Sequence, residues 1–154
     1  MSAPSGLEPQ AAVRARIVSP GVVRVESRAH GYLAEGQARE MPDAAHPSSL
    51  DYLLGALASD LIAGLEREAR RAGAALDAVE ASLSARLDNP LVPLGVIGET
   101  GSARVTSIRG SVYVSAALPE PDVRALWRQA LDKAPVYATL AQSVHVEVSM
   151  QLIL

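Results

Sequence analysis

Hydrophobic and polar residues alternate through "AVRARIVSPGVVRVES" (residues 12–27) on both sides of Ser19-Pro20-Gly21. A period of two around a Pro-Gly turn predicts a β-hairpin. A second turn is expected at Ala29-His30-Gly31, then a third strand or edge segment in "YLAEGQARE" (32–40) and a loop in "MPDAAHPSS" (41–49). From Ser48 the period lengthens. Ser48-Ser49-Leu50-Asp51 is a capping box with Asp in place of the usual Glu or Gln, and it opens a helix through "LDYLLGALASDLIAGLEREARRA" (50–72) that stops at Gly73. As far as Leu65 this helix is apolar all round, which calls for cover on every side. From Glu66 it turns charged, and "EREARR" reads as a solvated end with i,i+3 and i,i+4 pairs.

Alternation returns in "LDAVEASLSARLD" (76–88), with Val79, Ala81, Leu83, Ala85 and Leu87 on one face. "NPLVPLGVIGETGS" (89–102) is a connection unusually apolar for a surface loop, suited to covering a pocket or a partner surface. "ARVTSIRGSVYVSAAL" (103–118) predicts a strand with a break near Gly110. Pro119 begins a second helix (119–134) with Val123, Leu126, Trp127, Ala130 and Leu131 on its inner stripe, and Pro135 starts a short third one, "PVYATLAQ". "VHVEVSMQLIL" closes the chain as a strand. Strands and helices in this order make an α+β domain spanning residues 11–154 behind a tail of residues 1–10.

Composition narrows the function. The chain has 154 residues, 49% hydrophobic and 20% charged, with no Phe and one Trp, so its core is built from small aliphatic side chains. A net charge of −3 argues against general nucleic-acid binding. No apolar stretch is long enough to span a bilayer, and the first residues lack the pattern of a signal peptide. A soluble cytoplasmic protein is expected. The absence of cysteine excludes disulfides, thiolate metal sites and thiol catalysis. His30, His46 and His145 are scattered without metal-ligand spacing, so neither a metal nor another cofactor is expected.

One residue breaks the pattern. Asp60 stands inside "LLGALASDLIAGL", where an unpaired carboxylate is costly. Its neighbours along the helix, Ala56, Leu57, Ala63 and Gly64, offer it nothing. Two readings stay open: an ion pair with an Arg from a strand or a second subunit, or a polar group on the floor of a pocket.

Two stretches carry a family resemblance. "SLDYLLGALASD" resembles the long-helix motif P-x-E-L-L-x-A-A-L-A-A-C of the OsmC/Ohr family, and "KAPVYATL" resembles its second motif, K-C-P-V-x-x-T-L. "GAALDAVEASLSARLD" and "VHVEV" resemble the segments that follow each motif. The resemblance implies antiparallel sheets wrapped around a long buried central helix, in an intertwined homodimer. It also implies a relation to stress-response proteins that reduce organic hydroperoxides with two cysteines, one from each motif. Here those positions hold Asp60 and Ala134. Thiol peroxidase chemistry is therefore not expected.

The family also uses an acid near the start of the long helix to hold an Arg that orients the peroxide. Asp51 stands at the acid position, or Leu50 in the alternative register, and Arg28 and Arg39 are both candidates for the Arg. Helix capping accounts for Asp51 without any ligand. Tyr137 is placed either to present its hydroxyl to the pocket or to pack on the core. Three functions follow as expectations. The first is a small, largely apolar ligand bound in a dimer-interface pocket by Asp60, Asp51, Ala134, Tyr137 and Arg39 or Arg28. The second is an enzyme using Asp60 as general acid or base. The third is a structural or interaction role with a vestigial pocket.

Overall fold

The computed structural model describes residues 11–35 and 44–153. Three strands, β1 (Arg14–Ser19), β2 (Val22–Ser27) and β3 (His30–Glu35), precede the long helix α1 (Ser49–Arg71). β4 (Ala78–Leu87) and β5 (Val105–Ser115) follow, then α2 (Glu120–Asp132), α3 (Pro135–Leu140) and β6 (His145–Ile153). The chain divides into two units, Met1–Leu53 and Leu54–Leu154, with α1 running across the boundary.

The first unit is an antiparallel β1-β2-β3 sheet. Gly21 turns the first hairpin at φ 74°. The second turn begins one residue earlier than its composition suggests: Ser27 already pairs with His30, which leaves Arg28 and Ala29 as the loop. Arg28 takes the left-handed backbone (φ 53°) that a two-residue hairpin loop demands, although glycine would fit there better. The Tyr52 hydroxyl donates to the Leu33 carbonyl at 2.6 Å, and the rings of Tyr32 and Tyr52 lie 4.5 Å apart.

Both ends of α1 follow local rules. The Asp51 carboxylate accepts from the Ser48 amide (2.8 Å) and hydroxyl (2.7 Å), while the Asp51 amide donates back to Ser48 Oγ (3.1 Å). This is the reciprocal capping box in its Asp form. At the other end Gly73 adopts φ 69°, and the amides of Gly73 and Ala74 donate to the carbonyls of Arg70 and Ala69. That pair of bonds is the Schellman termination.

In the second unit β5 is central, between β4 and β6. The alternation read along β4 is kept, with Val79, Ala81, Leu83, Ala85 and Leu87 turned inward. β5 is unbroken at Gly110, where any Cβ would collide with the Ser82 carbonyl and Leu83 of the neighbouring strand. The expectation of purely antiparallel sheets is corrected here: β5 and β6 run parallel. The two helices between them carry the chain back along the sheet, so β6 enters from the end where β5 began. Leu57, Leu61, Leu65 and Ala69 of α1 pack with Ile108, Val112 and Val114 of β5, Val123, Leu126, Trp127 and Ala130 of α2, and Met150 of β6.

Burial of α1 is one-sided in a single copy of the chain. Leu57, Leu61, Gly64, Leu65, Glu68 and Ala69 are buried, whereas Gly55, Ala56, Ser59 and Ala63 are exposed. Among the described residues, the all-round cover expected from its composition is not found. Among the described residues, no helix is long and apolar enough to cross a membrane.

Candidate functional site

Pro135 begins α3, but the residue in the capping position is Ala134, whose methyl group can accept nothing. The first amides of this short helix need an acceptor from elsewhere. Asp60 supplies it. Its Oδ2 accepts from the Val136 amide at 2.9 Å and the Tyr137 amide at 3.1 Å. A carboxylate from the apolar stretch of α1 thus caps a helix far along the chain, and among the described residues it meets two backbone donors rather than an Arg. The partial positive charge of a helix start favours this anion for the same reason it would favour a thiolate.

A second acid on the same face was hidden in the charged run. Asp60, Gly64 and Glu68 lie four residues apart, along one side of the helix. Glu68 is only 3% exposed, against the solvated end its surroundings suggest. Its Oε2 lies 2.7 Å from Lys133 Nζ, and its Oε1 lies 2.7 Å from Arg71 Nη1. Lys133, the single lysine of the chain, adjoins Ala134. The Lys133 hydrogen bond above all, helped by the charges of Lys133 and Arg71, holds the Glu68 carboxyl below the ordinary carboxylate range despite its burial. Between the two acids Gly64 faces α2, where a Cβ would meet Ala130 at an ordinary 3.7 Å, so the packing leaves room for a methyl group there. The Glu66–Arg70 pair, by contrast, is exposed as expected.

The structure therefore brings together Asp60, Ala134 and Tyr137 of the expected residues, and adds Glu68 and Lys133. Ala134 is buried, and Tyr137 is half-buried and packed against the core. Asp51 serves the N-terminus of α1 and Leu50 is half-buried beside it. Arg28 is exposed in the β2–β3 turn, and Arg39 lies outside the described residues, as does the tail of residues 1–10. A depression of about 220 Å³ lies at the other end of α1, bounded by Glu66, Arg70, Ala74 and Leu76. One signal in the sequence pointed to the missed acid Glu68: the chain's single lysine, Lys133, which needs a partner just before the helix start at Pro135.

The OsmC-like protein family model matches residues 42–149. The chain belongs to this family. An OsmC-like protein from Mycoplasma pneumoniae superposes with a TM-score of 0.79 at 14% identity, covering 96% of this chain and 100% of that one. An organic hydroperoxide resistance protein OsmC from Legionella pneumophila gives 0.68 at 13% identity, covering 96% and 99%. The organic hydroperoxide resistance protein OhrB of Bacillus subtilis gives 0.60 at 16% identity, covering 92% and 98%. Sequence comparison with curated proteins finds no match. This OsmC-like chain contains no cysteine, so neither thiol of the family's two motifs is present.

Proposed function

We propose that this chain is a non-redox OsmC-like binding protein that forms a homodimer through α1 and takes a small, largely apolar molecule between the two copies. The observation that carries this reading is the exposed strip of Gly55, Ala56, Ser59 and Ala63 on the apolar stretch of a helix whose opposite side, Leu57, Leu61 and Leu65, is in the core. Small residues on one face permit a second helix to approach closely, and covering them removes apolar surface from water. Leu91, Leu94, Val96 and Ile97 of the β4–β5 connection add further exposed apolar surface. Asp60 supports this function by holding α3 in place rather than by contacting the ligand. Because its Oδ2 accepts two amide hydrogen bonds, a structural role is better supported than proton transfer.

Light scattering on the purified protein is expected to give the mass of two chains. Dodecanol or naphthalene, as apolar probes, is expected to raise the melting temperature saturably. Cumene hydroperoxide with dithiothreitol is expected to be consumed no faster than in the blank. A monomer at all concentrations, or no response to any apolar probe, overturns the proposal.

A further inference from the structure

The corner from Lys133 to Leu140 is bound to the rest of its unit in an unusual way. α3 has six residues, none of them fully buried, and a helix this short has no stability of its own in water. Val136, Tyr137 and Leu140 are half-buried against the core, while Ala138 and Thr139 are exposed. By contrast α2 buries Val123, Leu126, Trp127 and Ala130. Among the described residues, the side-chain polar links from this corner to α1 are two: Asp60 to the Val136 and Tyr137 amides, and Glu68 to Lys133. Both acids project from the same side of α1, one above and one below Gly64.

A segment with little buried apolar surface, held at two points by charge-assisted hydrogen bonds, has the makings of a locally opening element. We propose that residues 133–140 open as a unit while the rest of the second unit stays folded, and that Asp60 and Glu68 are the two positioning residues that set how often they do. Opening uncovers Ala134 and the inner sides of Val136, Tyr137 and Leu140, which is a route into the apolar interior between α1 and α2. The inference stands apart from any ligand or dimer, because it concerns the closed corner alone.

The test is amide hydrogen exchange, read residue by residue by NMR on the full chain. In the native protein, the Val136 and Tyr137 amides are expected to exchange faster than those of Leu126 and Trp127. Asp60→Ala and Glu68→Gln should each speed exchange at Val136 and Tyr137 by about tenfold or more, leaving Leu126 and Trp127 nearly unchanged. Asp60→Asn, which keeps an acceptor, should fall between the native protein and Asp60→Ala. Glu66→Gln, which removes only an exposed pair, should change nothing. If Asp60→Ala fails to fold, Lys133→Gln loosens the same corner from its other side and should reproduce the selective acceleration. Exchange at Val136 and Tyr137 that matches α2 in every folded variant would overturn the proposal, since the corner would then open only with global unfolding. Equal acceleration at all four amides would overturn it too.

Discussion

Two regions of α1 hold the same chemical group under opposite conditions in sequence. Asp60 is surrounded by Ala, Leu and Ile, whereas Glu68 sits in a run of charges. Sequence context marks the first as anomalous and the second as ordinary. In the folded chain, Glu68 is the more deeply buried of the two and is met by two cations, while Asp60 is half-buried and met by two backbone amides. A carboxylate's burial is decided by what packs over it, and here one corner of the chain packs over both. Neighbours along the chain do not fix an acid's burial: the acid among apolar residues is half-buried, and the acid among charges is buried.

The comparison breaks most visibly if both acids are removed. Asp60→Ala combined with Glu68→Gln is expected to lower the melting temperature by less than the sum of the single changes, because the second loss falls on a corner the first has already freed. A thermal double-mutant cycle measures this. Asp60→Ala alone leaves two helix-start amides without their acceptor. It should cost about 1–2 kcal/mol by chemical denaturation, the range of a lost N-cap.

Glu68→Gln sharpens the contrast through pH. The folded state holds the Glu68 carboxyl below its ordinary value of 4.5, so the charged form stabilises the fold above that value. This contribution is lost as the pH falls through the lowered folded value. The melting-temperature gap between native protein and Glu68→Gln should therefore be a few degrees at neutral pH and close in acid. Glu66→Gln should shift stability by no more than about 0.5 kcal/mol, since its pair with Arg70 is exposed. Smallest of all, Gly64→Ala is expected to be neutral or slightly stabilising: the added methyl meets Ala130 at 3.7 Å, and alanine is the better helix former. A large loss there would show that the spacing between helices, and not the acids, holds the corner.

Much of the fold was legible because its signals are local. The capping box at Ser48, the stop at Gly73, the alternation of β4 and the Pro starts of α2 and α3 each depend on residues within a few positions. What escaped the sequence depends on distant partners. The parallel pairing of β6 is decided by the crossover that returns the chain, and the register of the β2–β3 turn by pairing that puts Arg28 into a backbone glycine favours. Of the candidate site, Asp60 stood out as a carboxylate in an apolar run and Ala134 by its motif position, while Tyr137 joins Asp60 through its amide. Glu68 was missed because its cation, Lys133, lies 65 residues away. Asp51 was placed correctly at its cap, which needs no partner beyond Ser48.

The parallel edge of β5 also bears on the order of assembly. β4 and β5 are joined by a direct connection and can zip together early, but β6 must wait until α2 and α3 have carried the chain across. Pairings between distant segments form slowly. Losing the contact of Lys133 with Glu68, made between residues 65 apart, is expected to hasten unfolding more than it retards refolding, which stopped-flow kinetics would measure.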